Sequence, residues 1–141
     1  MDSTREEDKI IVRLDPGEEV LESLETLRDD HDIQNGFLMG IGAVDRAVLG
    51  HYDVAEQAYD EEEFTGQFEV TSFLGNIGPD KIHTHIQLAT DSFDSLGGHC
   101  SGATVSGTFE IVVFPGETPL THRLDQRTGL DVFDIGDGDE E

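Results

Sequence analysis

The sequence predicts an α+β domain: a mostly antiparallel β-sheet with one principal amphipathic helix. Three observations point there. The chain has 141 residues, about one domain's worth. A single segment, 17–31, carries apolar residues at helical spacing. From Asn35-Gly36 to Pro115 the pattern changes to short apolar stretches separated by turn clusters, which is the pattern of strands.

Taken in order, residues 1–8 are polar and expected to be disordered, with a domain over 9–116 and an acidic C-terminal segment over 117–141. Lys9 to Leu14 (KIIVRL) reads as a short strand. Asp15-Pro16-Gly17-Glu18 resembles a helix start, with Asp15 as N-cap, Pro16 at the first position and Glu18 completing a capping-box pattern. Val20, Leu24, Leu27 and His31 then share one helical face, with His31 placed to end the helix against its negative dipole end. Phe37 to Leu49 follows as a strand. In it Gly40 and Gly42 share a face opposite Phe37, Met39 and Ile41, which implies close approach of another backbone or a bulge. Residues 53–64 read as a charged connection or edge segment. Phe68 to Leu74 and Lys81 to Ala89 are expected to form a hairpin across the turn cluster 75–80. His99 to Val105 and Thr108 to Phe114 supply two further strands around Gly107, and Leu130–Ile135 is a short pairing segment within the acidic end.

Charge narrows the function. Lys and Arg number 8 against 32 Asp and Glu, a formal net charge of −24. Such a surface does not bind phosphates by general Lys/Arg attraction and counterion release, nor does it dock on an anionic leaflet. Low hydrophobicity with high net charge is a mark of disorder, but here eight Phe sit within well-patterned segments. Excess carboxylate with only two lysines, Lys9 and Lys81, fits a halophilic protein instead, since in molar salt the Debye length shrinks to ~3 Å and self-repulsion is screened. The single Cys100 permits neither an internal disulfide nor a multi-cysteine zinc site. The N-terminus has no apolar signal region and no run reaches the ~18 apolar residues of a membrane span, so a cytoplasmic protein is expected.

The candidate chemistry lies in the histidines. His83 and His85 stand at i and i+2 on a predicted strand, so both imidazoles point the same way, with Cβ atoms ~7 Å apart. That spacing lets two rings converge on one ion. Gln87 shares their face, while Thr84, Ile86 and Leu88 suit a core. His99 follows Gly97-Gly98 at the start of the next strand and reaches the same point if that strand lies alongside. Cys100 alternates away. The plainer alternative is that the His-x-His pair is only a solvated strand face. Glu69 and Glu110 sit inside apolar strands; a solvent-facing position is the simpler reading, and a carboxylate near a metal the sharper one. His51 and His122 have no evident partner pattern.

The blocks GIGAVDRAVLGHYD (40–53), FEVTSFLGNIG (68–78), IHTHIQLA (82–89) and GGHCSGATVSGTFEIVV (97–113) resemble the PPC domain family, the plants and prokaryotes conserved domain, sometimes described as PD1-like DNA-binding. The resemblance covers roughly residues 9–115, and its ordered blocks together are far more specific than any one of them. It implies a compact trimer-forming α+β subunit and, in this chain, an acidic haloarchaeal-type member. It also implies that His83, His85 and His99 surround a divalent metal, commonly zinc. Plant relatives carry basic AT-hook segments; no Arg-Gly-Arg core occurs here, and His51 and Cys100 replace the aromatic and aliphatic residues more usual in the family. Three functions follow from this: a metal-binding homotrimer with a regulatory, DNA-associated role implied by the resemblance; a metal-dependent enzyme using an open three-His site, ranked lower because no acid/base pair is legible; or a purely structural metal site.

Overall fold

The computed structural model describes residues 1–136; the last acidic residues, 137–141, lie outside the described residues. Eight strands and one helix follow in order: β1 (Asp2–Glu6), β2 (Lys9–Leu14), α1 (Val20–Asp30), β3 (Gly36–Asp53), β4 (Ala58–Ile77), β5 (Ile82–Ala89), β6 (Ser95–Pro115), β7 (His122–Asp125) and β8 (Leu130–Phe133). The main sheet has the order β1-β2-β6-β3-β4-β5, all pairings antiparallel. β6 also pairs with β5, closing a ring of β6, β3, β4 and β5. β7 and β8 form a separate hairpin. No helix of the described residues is long and apolar enough to cross a membrane.

Alternation along the strands sorts the side chains. Leu38, Phe73, Ile86, Leu88, Phe109, Ile111 and Val113 point inward and are buried. Gly40 and Gly42 lie on this inner face, and a Cβ on Gly40 would stand 2.8 Å from the Glu110 carbonyl. Their lack of side chains lets β3 run against β6, and β3 shifts register against β4 between Gly40 and Gly42 and against β6 between Gly42 and Val44. Outward, an apolar face stays uncovered: Phe37 is 56% exposed, Met39 49% and Ile41 58%, with Leu74, Phe114 and Ile11 beside them. A groove of about 560 Å³ runs along it, lined by Ile11, Met39, Ile41, Leu74 and Val112.

The helix buries Val20, Leu24 and Leu27, as the spacing predicts, and ends at His31, whose Nε2 lies 3.1 Å from Ser3 Oγ. It starts later than the predicted cap. Asp15–Glu18 is a turn of its own: the Glu18 carboxylate accepts from the Asp15 amide, but Gly17 takes φ +88° and its amide donates to the Val105 carbonyl. Glu19 is the actual N-cap. One carboxylate oxygen accepts from the Glu22 amide at 2.7 Å and the other from the Ala103 amide of β6 at 2.8 Å. Glu19 therefore caps the helix and ties it to the sheet. Glu19→Ala leaves both amides unsatisfied and should cost about 1–2 kcal/mol in urea unfolding; a change below ~0.5 kcal/mol would show that the cap contributes nothing.

Besides the helix start, two expectations differ from what is observed and two are met in part. Residues 2–6 are not disordered but form β1, paired with β2 from Asp2 opposite Arg13 to Glu6 opposite Lys9. This edge strand is exposed along its whole length, so no apolar alternation marks it. Of the two readings of 53–64, residues 58–64 take the edge one: they are the first part of β4, laddered to β3 through Tyr52 opposite Tyr59 and unpaired with β5. The two strands expected around Gly107 are one continuous β6. The pairing segment expected at Leu130–Ile135 is met in large part: Leu130–Phe133 pairs with His122–Asp125 as the β7–β8 hairpin.

Candidate metal centre

β5 sets the site. Its inward residues Thr84, Ile86 and Leu88 are 1%, 3% and 0% exposed, which fixes the strand's facing and turns His83 and His85 outward. Thr84 Oγ1 donates to the Cys100 carbonyl at 2.9 Å, locking β5 to β6. The β5–β6 ladder then sets His85 directly opposite His99. The three imidazoles each offer a nitrogen within 4.8 Å of the others. His83 Nε2 and His85 Nε2 are 3.2 Å apart, and the ring centroids lie 5.1 to 5.8 Å from one another. The structure thus brings together all three histidines singled out by the sequence.

Burial, and after it the neighbouring His99 and His85, pushes the His83 pKa down to about 4. Burial also lowers that of His99, helped by His85. Burial therefore favours the neutral form of both rings, the state in which imidazole ligates a metal. Two buried side-chain polar atoms among the described residues lack a partner: His99 Nδ1, and Oδ1 of Asn76, which stands directly opposite His83. Unpaired buried polar atoms cost ~1–3 kcal/mol each, and both of these are at the cluster. Three converging nitrogen donors with unsatisfied polar atoms beside them could hold a divalent metal ion. Three protein ligands leave one position for water or another ligand, and an ion there would supply Lewis-acid polarisation.

Tyr59 stacks on His99 with centroids 4.9 Å apart, and Tyr52 packs on Tyr59. The β7–β8 hairpin reaches residues on two sides of the cluster. The Tyr52 hydroxyl donates to the Thr128 carbonyl at 2.5 Å, His122 Nδ1 lies 3.0 Å from Asp80 Oδ1, and Lys81 Nζ 3.6 Å from Asp131 Oδ2. Sequence reasoning missed Tyr52, Tyr59 and Asn76. Asn76 had a signal in the expected hairpin, whose ladder places it opposite His83. His122 had none, its partner being 42 positions away. Glu69 and Glu110 are both exposed and away from the cluster: Glu69 is opposite Ala89 at the far end of β5, and Glu110 opposite Arg13. Cys100 is buried, and burial raises its thiol pKa to about 11. His51 is exposed and opposite Asp60.

The depressed pKa of His83 has a consequence for stability. Unfolded, the ring takes a proton near pH 6.5; folded, only near pH 4. The unfolded state binds the proton first, so the neutral ring's contribution is complete above about pH 6.5 and is lost as pH falls toward 4. In metal-free protein, His83→Gln should narrow its Tm deficit relative to wild type, or overtake it, as pH drops through this window. A Tm difference independent of pH would contradict the assignment.

Fold and site together define a small antiparallel-sheet domain carrying an open three-imidazole cluster on its outer face. Residues 1–116 match the Plants and Prokaryotes Conserved (PCC) domain, and the chain belongs to this family. Similar structures include a candidate DNA-binding protein from Bacteroides thetaiotaomicron, 25% identical with TM-score 0.89, covering 94% of this chain and 96% of that one. Another candidate DNA-binding protein, from Ralstonia eutropha JMP134, is 26% identical with TM-score 0.88, covering 95% and 96%. A metal-containing protein from Archaeoglobus fulgidus is 28% identical with TM-score 0.83, covering 94% and 99%. The bifunctional protein GlmU of a Synechococcus strain is 30% identical over 121 residues, which are 84% of this chain but 18% of that protein.

Proposed function

We propose that this chain is a metal-binding subunit of a homotrimer with a regulatory, DNA-associated role in a salt-rich cytoplasm, and that His83, His85 and His99 hold a divalent ion, zinc foremost. The observation that carries this is the convergence of three imidazoles beside two unpaired buried polar atoms. The metal-containing relative supports the ion, and the candidate DNA-binding relatives support the DNA association. The uncovered apolar face supports assembly, because a patch of large apolar side chains on so charged a chain favours a protein contact. With −24 on the chain, contact with DNA runs through local geometry or a partner rather than through a general field.

Protein purified without a histidine tag should contain about one zinc per chain and sediment as three subunits. Wild type that takes up no stoichiometric zinc would remove the metal centre. Binding to A·T-rich and random duplexes is expected at some point of a KCl series into the molar range; no binding at any salt would remove the DNA association.

A further inference from the structure

We infer that a second copy of the chain completes the three-imidazole site: the copy that covers the apolar face also walls the open side of the metal position, so that metal binding and assembly are coupled. This rests on the reading of the chain as an assembling metal protein.

The ladders put the site and the apolar face on one surface. A single row of directly opposed residues crosses the sheet from His99 to His85, Leu74, Met39, Val112 and Ile11. The next row runs from His83 through Asn76 and Phe37 to Phe114. Opposed side chains on one sheet face stand ~4.5–5.5 Å apart at Cβ, so Leu74 stands beside the site and Met39 is one strand further on. Whatever covers Leu74 and Met39 lies within a side chain's reach of His85.

The occupant follows from charge. Neither row contains an acidic residue, whereas the chain as a whole carries 32. A second chain of the same charge meets least repulsion here, and it brings an equally apolar surface of its own. A polyanion finds no cation in these rows, and a basic partner finds more to bind elsewhere. Arg13 opposite Glu110 at the border of the groove adds one charge of each sign for a copy to match.

Linkage gives the test. Zinc affinity of the full wild-type chain is measured by titration at subunit concentrations above and below the assembly midpoint, and that midpoint is measured by sedimentation with zinc and with chelator. Assembled protein should bind zinc about tenfold more tightly, and zinc must then promote assembly in return. Met39→Glu, exposed and one strand removed from the residue beside the site, should give monomers with the weakened affinity. Monomeric Met39→Glu that binds zinc as tightly as wild-type assemblies would overturn the coupling while leaving metal binding and assembly standing. Met39→Glu that still assembles would overturn the choice of face. Wild type without zinc would remove the metal centre itself and this inference with it. Should Met39→Glu fail to fold, the wild-type concentration series decides alone: zinc affinity independent of subunit concentration across the midpoint overturns the coupling.

Discussion

His99→Ala should bind zinc at least ~100-fold more weakly than wild type while remaining folded. Structural zinc sites contribute about 10–16 kcal/mol over four ligands, so one ligand of three is worth several kcal/mol. His99 is the informative choice because it comes from β6, whereas His83 and His85 come from β5. Losing its ring breaks the convergence but not the strand pairing, since His85 and His99 face each other through a backbone ladder. The substitution also removes the unpaired buried Nδ1, so the metal-free variant should be no less stable than metal-free wild type. Calorimetric titration gives the affinity, and thermal unfolding with and without zinc gives the second readout. The zinc-induced rise in Tm should vanish. Retained affinity would place the ion, if any, elsewhere.

Phe109→Ala should destabilise the domain by about 3–5 kcal/mol. Phe109 is fully buried and meets Phe73, also fully buried, edge-on at 5.1 Å between centroids and 89° between planes. The truncation forfeits transfer energy, leaves a cavity and removes an aromatic pair worth ~0.5–1.5 kcal/mol. Against a total stability on the order of 5–15 kcal/mol this is a large share. Urea unfolding in molar KCl should show a lower midpoint with unchanged slope. A loss under ~1.5 kcal/mol would mean that the interior collapses around the gap, and that Gly40 and Gly42 do not hold β3 and β6 in a fixed relation.

How far the sequence could be read depended on where each signal lies. The helix was legible because Val20, Leu24 and Leu27 are all buried on one side. Its start was not, because a capping-box hydrogen bond also closes a free-standing turn such as Asp15–Glu18. β5 was legible down to its facing, because period-two alternation put Thr84, Ile86 and Leu88 inside. β1 and the first part of β4 were opaque for one physical reason: both are solvent-facing over most of their length and are held by ladders to apolar neighbours rather than by their own burial. Tyr59 lay in that opaque stretch. Its place against His99 depends on the register of Tyr52 with Tyr59 and Gly50 with His99, which no local pattern reveals. The groove was hidden differently. Phe37, Met39 and Ile41 are apolar, and composition alone does not tell an uncovered face from a core.

β6 has a kinetic role as well as an architectural one. It pairs with β2, β3 and β5 and bears the amide that Glu19 caps, so almost every part of the sheet waits for it. Its first residue is Ser95, and Ile10 near the start of the chain is opposed to Val113 near its end. Local pieces such as the β3–β4 hairpin can form early, but the ring cannot close until most of the chain is available. Such non-local closure places folding in the milliseconds-to-seconds range and leaves half-built sheet edges exposed meanwhile.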